Sequence, residues 1–193
     1  LLEGSELEHC DKDGISIAEA MRQNGLDPDA IGKAARPKGS VKAYVELHIE
    51  QGKVLESRNL SVGVVSGVAG PLWVKFILEG EAGRAGATPM TLRRDPLAAA
   101  AEIMLAIEQE AGKTGTAVGT VGQMQAYPGG VNIIPGKVEF SLDLRDVDQA
   151  VLDRVEAEIV RVAKQICEKR GIQLAIELLQ RIPPVICSEE IQQ

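Results

Sequence analysis

Residues 127–146, YPGGVNIIPGKVEFSLDLRD, contain two turns rich in Gly and Pro, followed by one regular alternating pattern. In the second half of this stretch apolar residues alternate with polar ones, which predicts a β-strand with one buried and one polar face. The buried face is expected to consist of Val138, Phe140, Leu142 and Leu144.

Two side chains of the same stretch are candidates for binding an anion. Asn132 lies in the turn before the strand, and Arg145 ends the polar face thirteen residues later. A turn Asn and a strand-end Arg can converge on one anionic group, which the guanidinium binds through two parallel N–H bonds. The alternative is an Asn that stabilises its own turn and an Arg that is only solvated. The stretch by itself leaves both interpretations open.

The segments around this stretch predict an α/β domain with the ferredoxin-like arrangement. From Leu72 onward the order is strand, helix, strand, strand, helix, strand, which gives a four-stranded antiparallel sheet with two helices on one face. The helices are expected from Pro96 to about Ala111, with Leu97, Ala101, Met104, Leu105 and Glu108 on the buried edge, and over Asp148–Arg170. Further strands are predicted for Leu72–Glu79, Thr116–Ala126 and Gln173–Ile182.

The residues before Leu72 predict a different and incomplete unit. Leu1–Gly39 is typical of two short helices joined by loops, with a capping box at Ser16 and an N-cap at Asp27. An alternating strand is expected over Val41–Gly52 and an apolar strand over Ser61–Gly70, with a short helix between them. We therefore expect residues 1–70 to be part of one domain, residues 71–184 to form the ferredoxin-like domain, and residues 185–193 to begin a further segment.

A histidine lies in the first of these predicted strands. In Val41–Gly52, VKAYVELHIEQG, the alternation places His48 on one face between Glu46 and Glu50. Such a His could be a metal ligand with carboxylates behind it, or equally an ordinary surface residue in an acidic patch. A metal site needs about three or four protein ligands, and the second His of the chain, His9, lies in a polar, loop-like segment.

The connection Gly80–Asp95, GEAGRAGATPMTLRRD, is rich in Gly and ends at the start of a helix. It lacks the GKS or GKT ending of a phosphate-binding loop, which disfavours that interpretation. Arg84 lies in the middle of the connection among small residues, where an exposed side chain could reach a neighbouring site.

The composition excludes several classes of protein. A net charge of −7 disfavours nucleic acid and anionic membranes as partners. The apolar runs are too short to span a bilayer. The three cysteines are far apart and odd in number, which is typical of a reducing cytoplasm rather than of a disulfide framework.

Four motifs together resemble the carbamoylase branch of the aminoacylase/carboxypeptidase metallopeptidase superfamily. The branch includes N-carbamoyl-L-amino acid hydrolases, β-ureidopropionases and allantoate amidohydrolases. The resemblance covers about Val41–Pro184. The motifs are ELHIEQG (Glu46–Gly52), GEAGRAGATPM (Gly80–Met90), RRDP (Arg93–Pro96) and GGVNIIPGKVEFSLDLRD (Gly129–Asp146).

The resemblance implies a catalytic domain with two divalent metal ions, zinc, manganese or cobalt, and an inserted ferredoxin-like lid that makes a homodimer. The metal-ligating His of the family falls on His48. The Asn and Arg that hold the carboxylate or ureido end of the substrate fall on Asn132 and Arg145. A metal-activated water then attacks the carbamoyl carbon and releases amino acid, ammonia and carbon dioxide.

Two departures from the family follow from the same alignment of motifs. The lid loop of the family has a His that stabilises the oxyanion, and Arg84 stands at that position here. The remaining metal ligands and the glutamate base fall outside residues 1–193, so the chain resembles a fragment that binds no metal pair by itself. The alternatives are an allantoate amidohydrolase parent, which the pair Leu72-Trp73 disfavours, and a non-catalytic dimerisation or binding module.

Overall fold

The computed structural model describes residues 4–193, in two compact units, one ending at Val54 and one beginning at Leu55. Its α-helices are α1 (Ile17–Gln23), α2 (Val54–Ser57), α3 (Pro96–Gly112), α4 (Gln149–Arg170) and α5 (Glu189–Gln192). Its strands are β1 (Gly67–Val68), β2 (Gly70–Glu79), β3 (Gly83–Arg84), β4 (Val118–Thr120), β5 (Met124–Tyr127), β6 (Ile133–Ile134), β7 (Lys137–Asp146), β8 (Gln173–Arg181) and β9 (Val185–Ile186). Short 3-10 helices cover Gly4–Glu8, Pro28–Ala34 and Met90–Leu92.

The main sheet confirms the ferredoxin-like arrangement. Its antiparallel order is β4-β7-β2-β8, and β5 also pairs with β7, so that β4 and β5 share one edge position. The central strands β2 and β7 pair over their whole length, from Gly70 opposite Asp146 to Glu79 opposite Lys137. Helices α3 and α4 cover one face of this sheet, and we call the other face the open face.

The core lies between the sheet and the two helices. The predicted alternation of β7 is confirmed, because every second residue from Val138 is buried against the helices. Phe140 stacks on Phe76 of β2 with ring centroids 4.8 Å apart. Burying a large apolar side chain contributes about 1.5–3 kcal/mol, so this aliphatic core with one aromatic pair supplies most of the stability of the unit.

The ends of the long helices are where the sequence predicts them. Asp95 caps α3 by accepting a hydrogen bond from the backbone N–H of Leu97 at 2.9 Å. Asp148 caps α4 in the same way, from the N–H of Ala150 at 2.8 Å. Gly171 ends α4 with a φ of 66°, a left-handed conformation that glycine adopts without steric cost.

The inward face of α3 differs from the prediction. The buried residues of the helix are Pro96, Ala99, Ala100, Ile103, Ile107 and Ala111. The predicted set of Leu97, Ala101, Met104, Leu105 and Glu108, which we call the outer stripe, is partly buried at most, and Leu105 is 68% exposed. The prediction was wrong because α3 is apolar on two sides, so periodicity does not indicate which side contacts the sheet.

The predicted strand Thr116–Ala126 is divided in the structure. Between Thr120, which pairs with Asp143, and Met124, which pairs with Phe140, three residues stand opposite two of β7. The N–H of Gln123 donates to the Ser141 hydroxyl at 3.1 Å instead of continuing the regular ladder. One extra residue therefore separates β4 from β5, as in a β-bulge.

The two predicted strands before β2 are corrected by the structure. Val41–Gly52 forms no strand, and of Ser61–Gly70 only Gly67–Val68 and the first residue of β2 are paired. A strand needs a neighbour for its N–H and C=O groups, and among residues 4–193 none pairs with Val41–Gly52. The short helix predicted between these segments is confirmed as α2.

The start of the chain follows the predicted caps. Ser16 accepts from the N–H of Glu19 at 3.1 Å and begins α1, which confirms the capping interaction. Asp27 caps the next element, which is a 3-10 helix and not an α-helix. Residues 1–3 of the predicted helical segment lie outside the described residues. The predicted domain boundaries at residues 70/71 and 184/185 stay predictions. In the described part of the chain, no helix combines the length and apolarity needed to cross a bilayer.

Candidate functional site

The structure brings Arg84 and Asn132 together beyond one end of the main sheet. Strand β3 pairs with β6 so that Arg84 stands opposite Ile133, the residue after Asn132. The N–H of Ala85 donates to the carbonyl oxygen of Asn132 at 2.9 Å. Both side chains are exposed, so an amide and a guanidinium are available to one external group at the β3–β6 pair.

The loop that carries Arg84 is held in shape by a second arginine. Arg93 donates from Nε to the carbonyl oxygen of Thr88 at 3.0 Å and from Nη2 to that of Ala85 at 2.7 Å. The hydroxyl of Thr88 donates to the carbonyl oxygen of Arg84 at 3.0 Å. Sequence reasoning assigned Arg93 no role, and the only signal was its place in the RRDP motif.

The base of the same loop is closed by a backbone contact and an ion pair. The N–H of Glu81 donates to the carbonyl oxygen of Arg94 at 2.8 Å, and Arg94 Nη2 lies 2.7 Å from Glu81 Oε2. A Cβ atom on Gly80 would overlap that carbonyl oxygen of Arg94, so the close approach requires glycine. The loop is therefore held at both of its ends, and these contacts fix the position of Arg84.

Arg145 lies on the open face and is already engaged by a carboxylate of its own strand. Its Nε donates to Asp143 Oδ1 and its Nη2 to Asp143 Oδ2, both at 2.8 Å. The hydrogen-bonded guanidinium of Arg145 is the main cause that lowers the pKa of Asp143. Burial opposes the shift, and the neighbouring Trp73 side chain lowers the pKa further. The same pair raises the pKa of Arg145. Sequence reasoning missed Asp143, although residues two apart on a strand share a face.

The surroundings of Arg145 are mostly apolar. Pro71 of β2 and Val118 of β4 stand directly opposite it, and Trp73 stands opposite Asp143. Val118 is 59% exposed and Trp73 is 39% exposed. A ligand anion at this guanidinium would therefore lie beside accessible apolar surface.

Asn132 and Arg145 lie near opposite ends of β7. Eight residues separate Lys137 at the start of this strand from Arg145, which corresponds to about 27 Å at 3.4 Å per residue. Asn132 precedes Lys137 and lies directly before β6, in the β3–β6 region beyond that end of the sheet. The expected convergence of the two side chains on one small anion is therefore wrong for a single chain, while their individual roles stay predictions.

His48 belongs to the unit that ends at Val54 and is exposed in an irregular segment. Its Nδ1 lies 2.6 Å from the carbonyl oxygen of Ile49. The flanking carboxylates are engaged locally, Glu46 with the hydroxyl of Tyr44 and Glu50 with the N–H of Val54. Among residues 4–193 no group of three or more His, Cys, Asp or Glu side chains is placed to hold a metal ion. The donors present do not fit a metal pair.

Comparison with known proteins finds a matching domain family and similar proteins that are named as amidohydrolases. The family described as "Peptidase dimerisation domain" matches residues 66–171. N-carbamoyl-L-amino acid amidohydrolase of Geobacillus stearothermophilus is 58% identical over 187 residues, 97% of this chain and 46% of the relative. Allantoate amidohydrolase of Bacillus subtilis is 36% identical over 183 residues, 94% of this chain and 44% of the relative.

A solved structure agrees with these sequence relatives. An amidase of the hydantoinase/carbamoylase family from Burkholderia multivorans superposes with a TM-score of 0.81 at 32% identity, over 97% of this chain and 45% of that one. The chain thus spans slightly less than half the length of the proteins it matches.

Proposed function

The chain belongs to the peptidase dimerisation domain family, and from this premise we propose that it is the lid-bearing part of a metal-dependent N-carbamoyl-L-amino acid amidohydrolase. The reaction is hydrolysis of the carbamoyl C–N bond, with release of the free amino acid, ammonia and carbon dioxide. The 58% identity to an amidohydrolase of that name, against 36% to one named for allantoate, supports this substrate class.

The observation that carries the proposal is the placement of Arg145 on the open face. Its side chain is 42% exposed and stands beside Pro71, Val118 and Trp73. This combination suits a carboxylate attached to an apolar side chain, because charge and apolar area are presented together. We propose that Arg145 binds the carboxylate of the substrate.

We assign the ureido end of the substrate to the β3–β6 pair. The Asn132 amide can both donate and accept, which suits a carbamoyl group. Arg84 supplies a permanent positive charge near the developing oxyanion, where the related enzymes use a His that can titrate. Arg93 keeps the loop around Arg84 in place through the carbonyls of Ala85 and Thr88.

His48 is proposed as one ligand of a divalent metal pair, zinc, manganese or cobalt, in the longer protein. When bound, such ions would supply an activated water for attack on the carbamoyl carbon. The other ligands and the base are not among the described residues. The thiols Cys10, Cys167 and Cys187 are all unpaired, which supports a cytoplasmic location.

The distance between Asn132 and Arg145 leads us to propose a homodimer whose substrate lies between two copies. If one copy provides Arg145, the ureido end is held by the partner subunit's Asn132, because about 27 Å of β7 lies between Arg145 and Lys137, at the end of the strand near Asn132. The outer stripe of α3 supplies a contact surface beside the edge formed by β4 and β5. Exposed apolar area next to an unpaired strand edge is typical of a subunit interface.

Light scattering of the chain with Leu105→Asp tests the interface. We expect the wild type to be a dimer and the variant a monomer, because a charge would be buried at the centre of the contact. Leu178→Asp is the matched control, since Leu178 is 59% exposed on the opposite edge strand β8 and should leave the dimer intact. A monomeric wild type at high concentration would contradict the proposal.

The activity is tested in a chimera in which this chain replaces the matching 187 residues of the Geobacillus stearothermophilus relative. We expect hydrolysis of N-carbamoyl-L-methionine in preference to allantoate. Arg145→Ala should lower kcat/KM roughly ten- to more than a hundredfold, the equivalent of about 1.5–3 kcal/mol for hydrogen bonds to a charged group. A preference for allantoate, or an unchanged kcat/KM in the variant, would overturn the assignment.

The shared site is tested by mixing two impaired chimeras, Arg145→Ala and Asn132→Ala. Random pairing of the subunits makes half of the dimers mixed, and each mixed dimer has one intact site if the two residues act across the interface. About a quarter of the wild-type activity should then return. No recovery would mean that both residues act within one chain.

A further inference from the structure

Asp143 engages only one edge of the Arg145 guanidinium. The bonds run from Nε and Nη2, the side-on edge, to the two carboxylate oxygens at 2.8 Å each. A guanidinium has five N–H donors, and this contact uses two of them. The two hydrogens on Nη1 and the second one on Nη2 remain. One hydrogen from each of these nitrogens forms the end-on edge, which can bind a second carboxylate with two parallel bonds.

The pair is also well supported on the open face. Asp143 and Arg145 are two residues apart on β7, so both side chains project from the same face of a strand that is paired on each side. Trp73 of β2 stands directly opposite Asp143 in the strand pairing, so its side chain projects from the same face. Because both oxygens of the Asp143 carboxylate accept from Arg145, the contact fixes the orientation of the guanidinium.

From this geometry we infer that Asp143 is a positioning residue, which holds the guanidinium of Arg145 with its end-on edge presented to the carboxylate of the substrate. The inference rests on the proposed function, because it takes Arg145 to be the substrate contact. Without Asp143 the Arg145 side chain would keep its charge but lose its orientation, and the ordering of a long flexible side chain would then oppose binding.

A second interpretation of the same contact predicts the opposite sign. If Asp143 only competes for the guanidinium, its neutralisation removes a competitor and one negative charge, and anions should bind more tightly. The structure supplies a control of equal charge. Glu139 lies on the same face of β7 and pairs with Lys137 at 2.7 Å, so Glu139→Gln removes one negative charge without touching Arg145.

The test is an NMR titration of the isotopically labelled chain with N-carbamoyl-L-alanine. The side-chain N–H signals of Arg145 are assigned by their loss in Arg145→Lys. We expect the ligand to shift the Nη signals while the Nε–H signal stays in place, because Asp143 keeps the side-on edge. Asp143→Asn should weaken binding roughly tenfold relative to Glu139→Gln, and Asp143→Glu should restore part of the affinity.

Each result either supports or overturns the positioning role of Asp143. Equal or tighter binding by Asp143→Asn than by Glu139→Gln overturns the positioning role while leaving Arg145 as the contact. If binding moves the Nε–H signal to the position that it has in ligand-free Asp143→Asn, the ligand displaces Asp143 from the guanidinium. This result also overturns the positioning role. If no Arg145 signal of the wild-type chain responds to the ligand, Arg145 is not the substrate contact. The proposed function then fails, and this result differs from failure of the positioning role alone. Unchanged backbone amide spectra exclude misfolding as the cause.

Discussion

Strand β7 and the segment Val41–Gly52 have the same alternation of apolar and polar residues, but only β7 is a strand. The apolar side chains of β7 are at most 2% exposed, whereas Leu47 is 99% and Val45 is 80% exposed. β7 has neighbours on both sides and two helices above it, while Val41–Gly52 is paired with no strand of the described chain. Alternation therefore indicates that a segment can form a strand with one buried and one polar face. Whether it forms that strand depends on the presence of a partner strand.

Hydrogen exchange should give the largest contrast between these segments. Amides of β7 should open only with free energies near that of global unfolding, about 5–15 kcal/mol for a domain of this kind. Amides of Val45 and Leu47 should exchange almost as in an unfolded chain. Comparable protection of both segments would show that Val41–Gly52 finds a strand partner in solution, for example in a second copy.

Truncation of one apolar side chain in each segment sharpens the same contrast. Phe140→Ala should lower the free energy of unfolding by about 3–5 kcal/mol, because it leaves a cavity beside the stacked ring of Phe76. Leu47→Ala should change it by no more than about 0.5 kcal/mol. Urea denaturation measures both, and a cost above about 1 kcal/mol for Leu47→Ala would mean that this side chain is buried in solution.

The helix caps extend the comparison to the two compact units. Asp95→Ala should lower the free energy of unfolding of the unit that contains the sheet by about 0.5–2 kcal/mol, because two N–H groups of α3 lose their acceptor. Ser16→Ala removes the corresponding bond from α1. It should increase exchange of the α1 amides without shifting the urea midpoint of the sheet. A shift of that midpoint would mean that the two units unfold together.

The smallest expected effect concerns the pH dependence of the Asp143–Arg145 pair. Arg145 lowers the pKa of Asp143 below its ordinary value of 3.8, so the pair stabilises the fold above that pH. The contribution should fall as the pH decreases through the lowered pKa and vanish when Asp143 is protonated in both states. Both side chains are about a third or more exposed, so we expect only about 0.2–1 kcal/mol at neutral pH.

Comparison of the wild type with Asp143→Asn in urea, between pH 7 and pH 2, measures this contribution. The difference in the free energy of unfolding should be largest at pH 7 and close to zero at pH 2. Glu139→Gln again serves as the control for charge on the same face. A difference between wild type and Asp143→Asn that grows toward low pH would contradict the assigned direction of the shift.

The sequence by itself determined the features that are encoded within a few neighbouring residues. The alternation of β7 and the ranges of the two long helices were predicted, because each depends on local backbone geometry and side-chain spacing. The order of the elements was sufficient to predict the ferredoxin-like arrangement. The motifs around Arg84, Asn132 and Arg145 indicated the family.

Only the tertiary structure decided which of these features meet in space. It selected one of the two apolar stripes of α3 for the core, and it left Val41–Gly52 without a partner strand. It placed Asn132 beside Arg84 and far from Arg145, and it joined Arg145 to Asp143. The physical reason is that periodicity and capping act over one or two turns of chain, whereas distances between sites depend on strand pairing between residues far apart in sequence.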